Sequence, residues 1–191
     1  TRQSLDTTVQ EMAAQLEGHP DNSNPAIYGS MVVGAQDENG MNHVRLELPD
    51  DLIFATMIPD SPVSTADARR VLPDSYTRKD MVFNASRAAL LVASMMSGKY
   101  ENFDMAMEDC VHQPYRAQLI PDMHEIFAHA KEFGAVASYL SGAGSTLMAM
   151  VTKDRAEEFE RKMSEYLGTL EHNWELNLLK ADMQGVLVET E

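Results

Sequence analysis

The stretch Glu17-Gly18-His19-Pro20-Asp21-Asn22 packs two acids, an imidazole and an amide between two segments of helical character. Such a set can hold a polar substrate. It can equally be a connecting turn in which Asp21 or Asn22 caps the next helix. Ser64-Thr65-Ala66-Asp67-Ala68-Arg69 begins as a capping signal, with a side-chain oxygen for the unpaired amides of a first helical turn and an acid three residues on. Ser141-Gly142-Ala143-Gly144-Ser145-Thr146 is dense in small residues, which let a backbone approach a ligand closely, and its amides can form an anion-binding concavity. It has no lysine, so it is not a Walker-type phosphate loop. It also fails the G-x-G-x-x-G dinucleotide pattern, and no helix follows it directly.

These stretches need elements to hold them. Residues 2–16 read as a helix, with Leu5, Val9, Met12, Ala13 and Leu16 at three- and four-residue spacing, stopped by Gly18 and Pro20. Pro25 to Tyr28 gives a short further helical turn. Met31–Ala35 and Val44–Leu48 form a hairpin around Asp37-Glu38-Asn39-Gly40. Pro49-Asp50-Asp51 is the expected domain boundary, dividing residues 1–49 from 50–191. Leu52–Ile58 reads as a strand, and the capped helix after Ser64 is ended by Pro73. Asp80–Ser97 is a helix with Val82, Phe83, Ala89, Leu90, Ala93 and Met96 as its apolar stripe, closed by Gly98. Short helices follow at Asn102–Asp109 and from Pro114 to Leu119, then a longer one at Pro121–Phe133. Val136–Leu140 and Leu147–Val151 are strands flanking the glycine-rich bend. Asp154–Leu167 is amphipathic, with Phe159, Met163 and Leu167 inward, and Trp174–Ala181 and Val186–Glu189 are closing strands. Strands and helices do not alternate regularly, so the fold class is α+β: a four-stranded antiparallel sheet with helices packed on one face.

Composition narrows the function classes. The chain has 191 residues, 44% of them hydrophobic, which allows a substantial core. Fifteen basic residues against 30 acidic ones give a net charge of −15. That disfavours nucleic-acid partners and anionic membrane surfaces, and no apolar run reaches membrane-spanning length. Small anionic ligands remain open, because a few arginines can converge in one pocket. The single Cys110 excludes an internal disulfide framework and suits a reducing, cytoplasmic setting. It is expected to be a small buried hydrophobe, and the 14 scattered methionines to be core filling.

Four motifs occur in an order that resembles homoserine kinases of the GHMP family of small-molecule kinases: Glu17-Gly18-His19-Pro20-Asp21-Asn22, Ser64-Thr65-x-x-Ala68-Arg69, His112-Gln113-Pro114-Tyr115-Arg116 and Leu140 to Thr146. The resemblance runs from about Glu17 to the end of the chain. It implies two α+β domains. Residues 1–49 would be the tail of the N-terminal, nucleotide-binding domain, and residues 50–191 the C-terminal domain, ferredoxin-like in form. The implied activity is transfer of the ATP γ-phosphoryl group to the hydroxyl of L-homoserine, a step of threonine biosynthesis, with Mg2+.

Residue by residue, the resemblance places His19, Asp21, Thr65, Arg69, Arg116, Ser141 and Gly142 on the substrate side, and lines the cleft near the phosphates with Gly142 and Gly144. The physics is compatible. Homoserine's carboxylate suits the forked, permanently charged Arg69 and Arg116, and its ammonium suits Asp21. Asn22 stands near where some relatives carry an Asp base and cannot accept a proton as a carboxylate would. Catalysis is therefore expected to work by positioning, with His19 and Asn22 as the catalytic-side candidates.

The family's Gly- and Ser-rich nucleotide loop, which opens a helix, is absent upstream of Glu17. The chain is accordingly expected to be the C-terminal portion of a kinase, inactive alone, with ATP and Mg2+ held mainly elsewhere. Ser23-Asn24 replaces the small apolar residues usual there. Another GHMP kinase acting on a different alcohol and a non-catalytic amino-acid-binding module are the alternatives, and a homodimer is left open.

Overall fold

The computed structural model describes residues 20–38 and 40–187, together with Val9, Met12, Ala13, Ala14 and Leu16. The chain separates into two compact units: the residues up to Leu48 joined by those from Ala181 on, and Pro49–Lys180. No helix among the described residues is long and apolar enough to cross a membrane.

In the first unit, Val9, Met12, Ala13, Ala14 and Leu16 are helical, as the spacing predicts. Ala14 is 2% exposed, whereas Val9, Met12 and Leu16, the apolar residues at helical spacing, are exposed. Close packing here uses a small side chain in place of the long apolar ones. Leu5 lies outside the described residues. Helix α1, Ser23–Tyr28, carries Pro25 in its first turn, where a missing amide hydrogen costs no helical bond. Strands β1, Met31–Asp37, and β2, Gly40–Leu46, form an antiparallel hairpin in register from Met31↔Leu46 to Asp37↔Gly40.

The segment after Ala181 closes this unit. The Ser30 amide donates to the Asp182 carbonyl at 2.6 Å, the Val186 amide to Ile27 at 3.1 Å, and Arg45 Nη2 to the Met183 carbonyl at 2.7 Å. At Gly29, with φ +68°, a Cβ would lie 2.7 Å from the backbone of Met183, Gln184 and Gly185, so only glycine fits. Val186 and Leu187, expected in a closing strand, are in no strand. They lie beside a loop whose amides and carbonyls bond singly, not in a ladder. Residues 188 and 189 of that expectation lie outside the described residues.

The second unit is a sheet of β3 (Leu52–Pro59), β4 (Ala137–Leu140), β5 (Leu147–Thr152) and β6 (Trp174–Leu179) in the order β4-β5-β3-β6, every neighbour antiparallel. Apolar β3 is central and buried along most of its length, as a continuous apolar run requires. Helices α6 (Met123–Glu132) and α7 (Ala156–Leu167) belong to the two crossovers that give this ferredoxin-like order. Ala55 and Met57 of β3, Leu147, Ala149 and Val151 of β5, Ile126 and Ala130 of α6, and Phe159, Met163 and Leu167 of α7 form one core. The four-residue spacing of the α7 positions aligns them on one face, and each such large side chain stabilises by about 1.5–3 kcal/mol on burial.

The remaining helices sit between β3 and β4. Helix α2, Thr65–Arg70, starts where Ser64 Oγ accepts the Asp67 amide at 3.0 Å. Helix α3, Arg78–Ser97, begins two residues before the expected Asp80. Thr77 and Asp80 form a reciprocal capping box, and Gly98 in the left-handed region ends the helix. Its apolar stripe is a second correction. Phe83 and Leu90 are half-buried, but Val82, Ala89, Ala93 and Met96 are exposed, while Ser94 and Met95 are buried. The helix is apolar on both faces, so periodicity cannot choose the inner one. Between Asn102 and Asp109 only α4, Phe103–Ala106, is α-helical; α5, Gln113–Arg116, follows it.

Candidate functional site

Arg116, at the end of α5, is tied by three of its hydrogens. Nε donates to the Ala68 carbonyl of α2 at 3.1 Å, and Nη1 donates to the Gly142 carbonyl at 2.9 Å. Nη1 also meets His112 Nδ1 at 3.2 Å. One side chain thus joins the Ser64–Arg69 stretch, the His112–Arg116 stretch and the glycine-rich loop. A guanidinium has five donors in a rigid fork, and no described residue takes those on Nη2. Burial pushes the Arg116 pKa down, Asp109 and Tyr76 oppose that, and Arg69 adds to it. Two like charges close enough to oppose one another make a place where an anion is favoured.

Arg69 is exposed and has no ion pair among the described residues, whereas its neighbour Arg70 is held by Asp67 at 2.7 Å. Asp67 is held below its ordinary value by the Ser64 hydroxyl and then by Arg70, so the acid of this stretch serves its own helix. Thr65 is exposed on the first turn of α2.

The segment carrying Arg116 is fixed from behind. Asp109 Oδ2 accepts the amides of His112 at 2.7 Å and Gln113 at 2.6 Å, and Oδ1 accepts Asn84 Nδ2 at 2.5 Å. Gln113 Oε1 accepts the Leu140 amide at 2.8 Å, and its Nε2 donates to Met107 at 3.1 Å, which anchors α5 to the end of β4. The Tyr76 hydroxyl donates to the Val111 carbonyl at 2.6 Å.

The loop Ser141–Thr146 closes the β4–β5 hairpin. The Ser141 amide bonds Thr146 at 3.0 Å and the Gly144 amide bonds Ser141 at 2.9 Å, while the Gly142 and Ala143 amides have no acceptor among the described residues. Gly142, at φ +53°, has open space where a Cβ would stand. Gly144, at φ +89°, would place a Cβ 3.0 Å from Ile120 and Leu140. The first glycine leaves the loop accessible and the second lets it pack.

Asp21 and Asn22 belong to the first unit. Both are exposed, and Asn22 occupies the N-cap position of α1 without a side-chain capping bond. Asp21 lines a hollow of about 550 Å³ with Pro20, Asn24 and β1 residues. Asn24, which departs from the usual small apolar type, is 2% exposed. His19 lies outside the described residues. Sequence reasoning missed Asp109, Gln113 and Asn84. The signals were weak: two acids before Cys110 and a glutamine inside the His112–Arg116 motif. Cys110 is half-buried, not fully buried. Its thiol is pushed up by burial and by Asp80 and Asp109, which makes it a poor nucleophile.

Residues 87–169 match the family model described as GHMP kinases C terminal. The matched residues lie within the second unit, which has the fold of GHMP kinase C-terminal domains. Over 182 residues, 95% of this chain and 60% of the relative, the chain is 45% identical to a homoserine kinase of Clostridium novyi. It is 43% identical to that of Clostridium beijerinckii over 93% of this chain and 59% of the relative. A crystal structure of homoserine kinase from Cytophaga hutchinsonii superimposes with a TM-score of 0.80 at 25% identity, covering 87% of this chain and 53% of that one. The chain spans about 60% of the length of the curated relatives it matches. His112, Arg116 and the glycine-rich loop lie inside the GHMP match, and Ser64–Arg69 precedes it.

Proposed function

We propose that the protein carrying this chain is a homoserine kinase, and that this chain supplies its substrate-holding residues. The observation that carries the reading is Arg116, whose bonds to Ala68 and Gly142 bring three motifs to one place, leave Nη2 without an acceptor among the described residues, and set the guanidinium within electrostatic reach of exposed Arg69. The substrate carboxylate binds Arg69 and the Nη2 edge of Arg116. The motif resemblance assigns the ammonium group to Asp21, and Thr65 and Ser141 contribute hydroxyls beside the arginines. With Arg116 already committed at Nε and Nη1, its share of the carboxylate is one edge, so Arg69 completes the clamp.

The amides of Gly142 and Ala143 fit a phosphate oxygen, since the loop carries no Cβ at Gly142 and neither amide has an acceptor among the described residues. ATP with Mg2+ supplies the γ-phosphoryl group when bound. Among the described residues no three His, Cys, Asp or Glu side chains gather to hold a metal ion. Mg2+ held chiefly by phosphates and water is compatible with that. The motif resemblance assigns the orienting of the hydroxyl to Asn22 and His19; Asn22 is no base, so the chemistry rests on alignment and charge. The chain alone is proposed to turn over no homoserine.

Coupled ADP release tests the reading. The protein carrying this chain should consume ATP with L-homoserine. Turnover of mevalonate or a sugar in place of homoserine, or ligand binding without turnover, overturns it.

A further inference from the structure

The bond between Arg116 and His112 fixes the state of the histidine. Arginine only donates, so His112 Nδ1, 3.2 Å from Arg116 Nη1, presents a lone pair. The neutral ring then carries its proton on Nε2. That nitrogen faces Asp109 Oδ1 at 3.8 Å, beyond hydrogen-bond range, but a carboxylate at that distance favours a proton over a lone pair. The Asp109 side chain is only 7% exposed, so its field is weakly screened.

Asp109 cannot turn away. Its oxygens accept the His112 and Gln113 amides and Asn84 Nδ2, and Asn84 is locked in turn because its Oδ1 accepts the Cys110 amide at 3.0 Å. Burial lowers the His112 pKa; Asp109 opposes this and Arg116 adds to it, in keeping with a neutral ring.

We infer that Asp109 is a positioning residue: through the Nε2–H tautomer of His112 it fixes the direction in which Arg116 presents its open Nη2 edge. Its kinetic consequence rests on the homoserine kinase reading; its structural consequence does not.

The test is Asp109→Asn. The amide oxygen still accepts both backbone amides, but the new NH2 group faces His112 Nε2 and also meets Asn84 Nδ2, whose bond is lost. The His112→Asn background separates that loss from the tautomer. His112 is expected to shift to the Nδ1–H tautomer, read from long-range 1H–15N spectra, which sets donor against donor at Arg116. In the protein carrying this chain, the homoserine KM should rise about tenfold with kcat little changed. His112→Asn keeps an acceptor toward Arg116 without Nε2, and in that background Asp109→Asn should leave KM within about twofold. An Nε2–H tautomer that survives Asp109→Asn overturns the inference, as does an equal rise in KM in the His112→Asn background. Should Asp109→Asn fail to fold, the wild-type spectrum decides, because an Nδ1–H or charged His112 at neutral pH overturns it alone. Absence of homoserine turnover would count against the kinase reading and leave the tautomer result standing.

Discussion

Arg116 Nε donates to the Ala68 carbonyl at 3.1 Å, which ties together helices whose chemistry-bearing arginines are far apart in sequence. The bond makes Arg116 part of the scaffold as well as of the site. Arg116→Lys keeps the charge but loses the fork that reaches Ala68, Gly142 and His112 at once. In the protein carrying this chain, the homoserine kcat/KM should fall about 30-fold, equivalent to about 2 kcal/mol, and the chain should melt a few degrees lower. Arg69→Ala, at an exposed position, should weaken substrate binding about tenfold and leave melting unchanged. Steady-state kinetics with calorimetry separates the two.

The two loop glycines should respond differently to alanine. Gly142→Ala meets only the cost of a left-handed backbone, about 1 kcal/mol. Gly144→Ala adds a clash with Ile120 and Leu140 and should destabilise by about 2–3 kcal/mol. Urea unfolding of both variants gives the order, and a Gly142 variant as damaging as the Gly144 one contradicts this account.

Acid should unfold the second unit partly through Asp109. Burial alone would raise its pKa, but Asn84 and the amides of His112 and Gln113 outweigh burial and hold it below the ordinary carboxylate value. A depressed carboxylate stabilises the fold above its unfolded pKa, about 3.9, and that stability is lost as pH falls through the lower folded value. Asp109→Asn should therefore be less stable at neutral pH and lose less on acidification below about pH 4. Circular dichroism across an acid titration measures the difference.

The α7 core position Phe159, fully buried, should be costly to empty, with Phe159→Ala destabilising by about 3–5 kcal/mol. Val82→Ala, on the exposed side of α3, should change stability by less than about 0.5 kcal/mol. Denaturant midpoints for the pair test whether the outer face of that helix bears load within this chain.

Legibility in the sequence followed physical contrast. Strand β3 and helix α7 were readable because one is a continuous apolar run and the other is clearly two-faced, with Phe159, Met163 and Leu167 on the buried side. Helix α3 was readable as a helix but not in orientation, since Val82 and Met96 are as apolar as the residues that turn inward. Arg116 and the glycine-rich loop stood out by motif. Asp109 did not, because its partners Asn84 and Gln113 flank it on different elements and only the tertiary fold makes its carboxylate a hub. Asp21 and Asn22 were legible as residue types, yet the exposed N-cap setting of Asn22 was not.

The bond from Ser30 to Asp182, with that from Arg45 to Met183, has a consequence for the order in which the chain takes shape. During synthesis, the hairpin of β1 and β2 leaves the ribosome long before the segment that completes it. The whole of Pro49–Lys180, with its own sheet and core, is made in between. The inserted unit can therefore fold while its host is still unfinished, and the host waits for contacts spanning more than a hundred residues, the slow class of closure. A ribosome stalled just past Lys180 should hold a protease-resistant second unit beside a still-cleavable first one.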